Sequence, residues 1–174
     1  MRLRAVDTTT DGDKELLREF RCSEDGEPRW AREIETFVQR KAFGWSRSNP
    51  STCRLLLLFE DDIPEEPLVG VGAHERLEHG DIRDTGRFLR FYAVSIERRE
   101  RGYGVQLFEA LLRDASRYAP GGMAAGKVDI DNSLSIKVME RFASGQPTAE
   151  HGQLLVYEFD LPKVEGDLPK VEGD

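Results

Sequence analysis

The sequence predicts a mixed α/β domain in which one sheet is flanked by helices. Short apolar runs that are typical of strands alternate with segments whose apolar residues recur every three or four positions, as in amphipathic helices. Two of the strand patterns are separated by a short acidic segment, as in a hairpin. Another strand pattern runs through a glycine turn directly into a helical pattern. The predicted order of elements is β-α-α-β-β-β-α-β-α-β.

The first predicted elements are a strand at residues 3–6 and a helix at 13–20, followed by a polar connection at 22–28. A second helix follows Pro28, since proline is favoured at helix starts. One face of this helix carries an apolar stripe, and the opposite face is charged. The stripe consists of Trp30, Ile34, Phe37, Val38 and Ala42.

The middle of the chain predicts a hairpin. Residues 53–59 form a continuous apolar run, as in a buried strand, and residues 68–74 alternate between apolar and smaller residues. The acidic segment 61–67 between them contains two prolines and is predicted to form the turn.

The next unit is a strand at residues 88–96, a glycine turn at Arg99–Gly104 and a helix that extends to about Tyr118. The start of a helix has unpaired N–H groups and about half a positive charge, and glycines allow a ligand to approach the backbone closely. This arrangement predicts a cradle for a phosphate group. Arg98 and Arg101 add positive charge to the same turn.

The C-terminal part predicts a strand at 125–130, a helix at 133–142 and a last strand at 154–161. The seven residues 161–167 are repeated at 168–174 as LPKVEGD. Two copies that each contain proline and glycine do not predict a regular element. We therefore expect one domain at residues 1–161 and a flexible tail at 162–174.

Composition limits the classes of function. The chain has 174 residues, of which 39% are hydrophobic, so it is long enough for one domain with a real core. Its net charge of −8 and pI near 5.1 argue against a general nucleic-acid binder. Cys22 and Cys53 have no ligand-like spacing and predict neither a disulfide framework nor a zinc site. Because the sequence shows neither a signal peptide nor a membrane span, we expect a cytoplasmic protein.

The order of elements and the Arg99-X-X-Gly102-X-Gly104 signature resemble the GNAT superfamily of acyl-CoA-dependent N-acetyltransferases over residues 1–161. The resemblance implies a mostly antiparallel sheet, acetyl-CoA as the acyl donor and an amine as the acceptor. It also implies that the glycine turn binds the coenzyme A pyrophosphate, that residues 94–96 pair with the pantetheine arm, and that an asparagine contacts the coenzyme. The implied coenzyme-binding residues are Val94, Ser95, Ile96, Arg99, Glu100, Arg101, Gly102, Tyr103, Gly104 and Asn132.

The sequence departs from the family pattern in the helix at 133–142. Many members carry a tyrosine there that can protonate the departing thiolate, and Met139 stands at that position. Methionine cannot donate a proton, so another group must supply it or the thiolate leaves unassisted. Tyr157 on the last predicted strand is the candidate that could donate this proton instead. The alternative is that Tyr157 is an ordinary aromatic residue of a strand, with no catalytic role. The candidate bases are Glu75, Glu97, His74, Asp129 and Asp131.

Two other motifs fail on a single residue. The segment from His74 to His79 resembles a zinc-protease signature, but Glu78 stands where the second histidine is needed. A dinucleotide-binding fingerprint would need a third glycine at Leu107. We therefore expect no metal. The predicted function is transfer of an acetyl group to an amine of a small molecule, peptide or protein. The alternative is a degenerate member that binds coenzyme A or a partner without turnover. The acceptor and the oligomeric state, including a homodimer, stay open.

Overall fold

The computed structural model describes residues 2–9, 11–60, 68–76, 86–143, 145–147 and 149–163. The predicted acidic turn at 61–67 and the repeat from residue 164 onward lie outside these ranges, as do His79 and Ser144. The strands are β1 (Arg2–Ala5), β2 (Cys53–Phe59), β3 (Leu68–Arg76), β4 (Arg87–Val94), β5 (Met123–Asp129), β6 (Ala149–His151) and β7 (Leu154–Asp160). The α-helices are α1 (Gly12–Glu19), α2 (Arg29–Phe37), α3 (Phe43–Ser48), α4 (Tyr103–Tyr118) and α5 (Ser133–Phe142).

The strands form one seven-stranded sheet in the order β1-β2-β3-β4-β5-β7-β6. Every neighbouring pair is antiparallel except β4 and β5, which are parallel. The mixed, mostly antiparallel sheet flanked by helices is therefore confirmed. The β2–β3 hairpin is confirmed as well, with Leu57 opposite Val71.

The π-helical turn at Val38–Ala42, helix α3 and strand β6 were not predicted. The π-helical turn connects α2 to α3, so the helical segment that follows Pro28 extends to Ser48. Strand β6 precedes β7 and pairs with it through a turn at Gly152, where φ is +65°. This strand is short and polar and has no alternating pattern of its own, so it depends on pairing with β7.

The contact between β4 and β5 is short. Only Arg87–Leu89 pair with β5, opposite Ala124–Gly126. On its other edge, β4 changes register against β3 because Arg90 is an extra residue between Leu89 and Phe91. A β-bulge of this kind bends the strand and increases its twist. The bulge thus coincides with the point where β4 and β5 part.

Helices cover both faces of the sheet. On one face, α1–α3 pack against β2–β4, and their buried cluster includes Leu17, Val38 and Phe91. On the other face, α4 lies directly on the central strands, with Leu107, Phe108 and Leu111 fully buried. A Cβ atom on Gly72 of β3 would lie 2.7 Å from Leu111 Cδ1, so glycine is needed for this close approach. This packing fixes the start of α4 beside the end of β4. Within the described ranges, no helix is long and apolar enough to cross a lipid bilayer.

Candidate functional site

A cleft of about 660 Å³ opens where β4 and β5 part. Its walls come from β4 and β5, from the starts of α4 and α5, and from α2 on the opposite face of the sheet. Beyond Leu89, the edge of β4 that faces β5 has no strand partner among the described residues. The cleft therefore offers unpaired strand backbone along one wall, a place where an extended ligand can pair.

The turn before α4 has the geometry of an anion site. Glu100 and Gly102 both have positive φ, at +65° and +77°. Gly102 is the N-cap of α4 and, as a glycine, has no side chain that could cap the helix. The first backbone hydrogen bond of the helix runs from the Gln106 N–H to the Gly102 carbonyl. The N–H groups of Tyr103 and Gly104 consequently have no acceptor in the part of the chain that the structure describes. Such groups, together with the helix dipole, attract a phosphate.

Gly104 leaves room at this helix start. A Cβ atom there would meet only Val94 Cγ2, at 4.0 Å, and the residue has no positive φ. Neither protein packing nor backbone conformation therefore requires glycine at position 104. The space is instead suited to a ligand that approaches the backbone, and the turn fits the pyrophosphate that the resemblance implies.

Arg99 is held by the protein itself. Its guanidinium pairs with both carboxylate oxygens of Glu27 and donates to the Cys22 carbonyl oxygen at 2.6 Å. The Arg99 partner lowers the pKa of the Glu27 carboxyl. The Arg99 side chain thus links the glycine turn to the loop before α2. Only the backbone of Arg99 is therefore available to the coenzyme.

The other two arginines of the turn differ. Arg98 Nε lies 3.5 Å from a Glu60 carboxylate oxygen, and the other oxygen of Glu60 accepts a hydrogen bond from the Tyr103 hydroxyl at 2.7 Å. Arg101 is exposed and forms no ion pair with the described residues. Arg101 is thus the arginine of the turn without a carboxylate partner among the described residues, although Arg98 and Arg99 are the ones that line the cleft.

Residues 94–96 divide between the cleft and the rest of the protein. Val94 lines the cleft. The Ser95 N–H donates to the Val69 carbonyl at 2.8 Å, and the Ile96 N–H donates to the Arg21 carbonyl at 3.1 Å. The latter two residues do not line the cleft, so their predicted pairing with the pantetheine arm stays a prediction.

Asn132 lies across the cleft from the glycine turn, at the N-cap of α5. Its Oδ1 accepts a hydrogen bond from the Ser135 N–H at 3.1 Å. Its Nδ2 has no acceptor among the described residues, so a donor remains for a ligand.

No family model and no curated protein matches the sequence, but solved structures match the fold. A protein from Desulfovibrio desulfuricans assigned to the GNAT family of acetyltransferases is 16% identical, with a TM-score of 0.62 over 92% of this chain and 98% of that one. A structure of AtaTR bound with AcCoA is also 16% identical, with a TM-score of 0.64 over 90% and 92%. A protein assigned as a phosphinothricin N-acetyltransferase is 15% identical, with a TM-score of 0.62 over 93% and 99%. The chain has the GNAT fold.

Within this GNAT fold, the three residues predicted to act in catalysis do not line the cleft. Tyr157 is 1% exposed within the core, and burial raises the pKa of its hydroxyl. Glu75 accepts a hydrogen bond from Arg90 Nη1 at 3.0 Å, and Glu97 is exposed in a 3₁₀ turn. Their catalytic roles stay predictions that the geometry of the cleft does not favour.

His74 belongs to a buried polar cluster that we call the His74 network, formed with Arg54, Arg87 and Asp114. Because arginine can only donate, the 3.0 Å contact from Arg87 Nε requires an unprotonated Nδ1 on His74. The proton then lies on Nε2, which donates to Asp114 Oδ2 at 2.9 Å. Burial lowers the pKa of His74, so this neutral form persists. His74 is fully buried and does not line the cleft, so the geometry does not favour its predicted role as a base.

The two aspartates on the far side of the cleft are linked to each other. Asp129 lines the cleft and accepts a hydrogen bond from the Asp131 N–H at 3.0 Å, while Asp131 is exposed and does not line it. Across the described ranges, no group of three or more His, Cys, Asp or Glu side chains is arranged to hold a metal ion.

Tyr92 is a cleft residue that sequence reasoning overlooked. It lies on β4 just beyond the bulge, and its hydroxyl donates to the Ser135 carbonyl of α5 at 3.4 Å. Ser135 is one helical turn before Met139, which also lines the cleft and is 3% exposed. Since Tyr92 occurs in a run of strand apolar residues, its sequence context indicates core. Only the parting of β4 and β5 exposes it to the cleft.

Proposed function

We propose that this protein transfers an acetyl group from acetyl-CoA to an amine by direct attack on the thioester. The observation that carries the proposal is the uncapped start of α4, with its open Gly104, beside the point where β4 and β5 part. An anion site and an unpaired strand edge that meet in one cleft fit a ligand with a pyrophosphate at one end and an extended amide arm.

The residues of the cleft suggest how the donor is held. The N–H groups of Tyr103 and Gly104 would bind the pyrophosphate, and Arg101 would add charge from the exposed side of the turn. Val94 and the free edge of β4 would pair with the amide arm, and Asn132 would donate from the opposite wall. Acetyl-CoA supplies the activated acyl group. Holding it in place removes much of the entropic barrier to attack.

Two protons move in the reaction. The amine forms a bond to the acyl carbon and loses a proton to Asp129 or to solvent, because Asp129 is the predicted base that lines the cleft, whereas Glu75 and Glu97 lie outside the lining. The carbon–sulfur bond then breaks, and the thiolate takes a proton. We assign that proton to the Tyr92 hydroxyl, because Tyr92 lines the cleft and its hydroxyl lies against Ser135 of α5, one turn from Met139. The resulting phenolate regains a proton from solvent.

The test measures coenzyme A binding by calorimetry and thiol release from acetyl-CoA across a panel of amines. Tyr92→Phe should lower kcat by about 100-fold or more with little change in coenzyme affinity, as expected for loss of a general acid. Tyr118→Phe is the matched control, because this phenol is 47% exposed and lies outside the cleft. Met139→Tyr in the Tyr92→Phe background should restore part of the rate. An unchanged kcat in Tyr92→Phe would refute the assignment of the acid.

The same experiment tests the alternative function. Met139 places an apolar side chain in the cleft wall where other members carry a proton donor, which favours a protein that binds coenzyme A without turnover. Binding with no thiol release on any amine would support that alternative. If coenzyme A does not bind at all, both functions are wrong.

A further inference from the structure

A second cavity of about 440 Å³ lies between α2 and β4, and we call it the α2 pocket. It is lined by Trp30, Glu33, Ile34 and Phe37 from α2 and by Phe88, Arg90 and Phe91 from β4. Most of these residues also line the cleft, so the two cavities share a wall. The α2 pocket is therefore an open groove that adjoins the candidate active site.

The β4 bulge builds one wall of this pocket. Consecutive strand residues normally point to opposite faces of a sheet. Here both Arg90 and Phe91 contact the same ring: the Arg90 guanidinium carbon lies 5.1 Å from the centre of the Phe37 ring, and the Phe91 ring centre lies 5.5 Å from it. The bulge thus places a cation and an aromatic ring side by side on the pocket wall.

Trp30 leaves a buried donor without a partner. Its indole Nε1 is inaccessible to solvent and makes no hydrogen bond with the described residues. An unsatisfied buried donor costs about 1–3 kcal/mol, so such groups are uncommon and call for an explanation. Because Trp30 lines the pocket, a turn of the indole toward a ligand oxygen there would satisfy this N–H.

Arg90 has donors to spare in the same pocket. Nη1 donates to Glu75 at 3.0 Å, while Nε and Nη2 have no acceptor among the described residues. The guanidinium also lies 5.3 Å from the centre of the Trp45 ring, so aromatic rings hold its position. A guanidinium that is fixed in this way and has free donors is suited to a carboxylate.

The carboxylates on the α2 side of the cleft already have cationic partners. Glu27 pairs with Arg99, and Glu33 pairs with Arg29 at 2.6 Å. A polycationic acceptor would therefore compete with arginines for every carboxylate that the structure describes on this wall. The one carboxylate in the pocket lining is Glu33, which is paired with Arg29, and the rest of the lining combines apolar walls with hydrogen-bond donors, which does not suit such a ligand.

We propose that the α2 pocket binds the acceptor and that the acceptor is an α-amino acid with an aromatic or large aliphatic side chain. The side chain would contact Ile34, Phe88 and Phe91, while the carboxylate would take hydrogen bonds from Arg90 and the Trp30 indole. The α-amine would then face the cleft. This inference rests on the acyl-transfer function for its chemistry, but the pocket can be tested by binding alone.

The first experiment measures binding to the protein saturated with coenzyme A, by calorimetry, so that no turnover is needed. L-phenylalanine should bind about 10-fold or more tightly than phenethylamine, which has the same ring and amine without the carboxylate. It should also bind more tightly than L-alanine, which lacks the ring, and than spermidine. Equal or tighter binding of phenethylamine or spermidine overturns the proposal.

The second experiment uses variants and the ratio of affinities for L-phenylalanine and phenethylamine, because a partly misfolded sample lowers both affinities alike. Arg90→Gln and Trp30→Phe should each reduce this ratio several-fold. Arg113→Gln is the matched control, since Arg113 is exposed on α4 and paired with Glu109. A ratio that both pocket variants leave unchanged overturns the proposal.

Turnover separates the two proposals. If L-phenylalanine binds selectively but no thiol is released from acetyl-CoA, the pocket assignment holds and the acyl-transfer function fails. If thiol is released with amines of another class and L-phenylalanine does not bind, the function holds and the pocket assignment fails.

Discussion

Gly104→Glu is expected to weaken coenzyme binding strongly without harming the fold. The substituted position is in the first turn of α4, where a Cβ atom would meet only Val94 Cγ2 at 4.0 Å. The new side chain therefore has room at its base. It does place a carboxylate beside the N–H groups that are proposed to hold a pyrophosphate.

The size of the effect follows from the charges. Two unit charges at about 5 Å repel by roughly 1 to 3 kcal/mol, between the limits of bulk water and of a protein surface. With two phosphate charges the penalty is about 2 to 6 kcal/mol, and since about 1.4 kcal/mol is tenfold in affinity, coenzyme A should bind roughly 30-fold to 10⁴-fold more weakly. Stability should move in the opposite direction, because glutamate is a better helix former than glycine and its charge favours a helix start. A gain of about 1 kcal/mol raises Tm by about 2–4 °C in a chain of this size.

Calorimetric titration with coenzyme A and a thermal melt of the free protein measure the two effects. Gly44→Glu is the matched control, because Gly44 lies in the first turn of α3, and a Cβ atom added there would meet no other atom within 4 Å. It adds the same charge outside the cleft and should leave affinity unchanged. A Gly104→Glu protein that binds coenzyme A within threefold of the parent would show that the cradle is misplaced. An equal loss in both variants would mean that net charge, not the cradle, sets affinity.

The His74 network supports two further predictions. Asp114→Asn leaves Arg54 without its carboxylate partner and should cost about 3–5 kcal/mol, so Tm should fall by at least about 6 °C; a change of less than about 2 °C in a thermal melt would contradict this role. The folded pKa of His74 is below its ordinary value of 6.5, so the unfolded chain binds the extra proton first. Stability should therefore be complete above pH 6.5 and fall as pH decreases below it, by at most about 1.4 kcal/mol per pH unit. Denaturant melts between about pH 7.5 and 5.5 should show this slope in the parent and a flatter one in His74→Gln, and identical slopes would count against it.

The parts of the fold that the sequence predicts well are those with a local cause. The pairing of β2 with β3 can be predicted because only a short acidic segment separates the two strand patterns in the sequence. The start of α4 can be predicted because Gly102 and Gly104 stand between a strand pattern and a helical stripe. Strand β6 is not visible, since its three residues form a strand only by pairing with β7. Its prediction would require knowledge of that pairing.

The site is less predictable because its decisive contacts are distant in sequence. Arg99 is chemically suited to a phosphate, yet it pairs with Glu27, 72 residues earlier. Tyr92 stands in a run of mostly apolar strand residues, so the sequence indicates a core position. Its access to the cleft follows from the separation of β4 and β5. The β-bulge at Arg90 lies where the two strands separate. It cannot be predicted from the sequence, because no glycine or proline marks its position. Binding of the acyl donor can thus be predicted from a sequence motif, whereas the binding site of the amine acceptor depends on how α2 packs against β4.

The open start of α4 carries a cost that the rest of the helix offsets. Uncapped N–H groups and a positive φ at Glu100 each lower stability. Along its length, however, α4 buries Leu107, Phe108 and Leu111 completely against the sheet. Near its other end, Asp114 ties it to His74 of β3. The helix is therefore held in place by contacts that do not involve its first turn, so that turn can remain unsatisfied until an anion binds. This division explains why Gly104→Glu should stabilise the free protein while it removes the ligand.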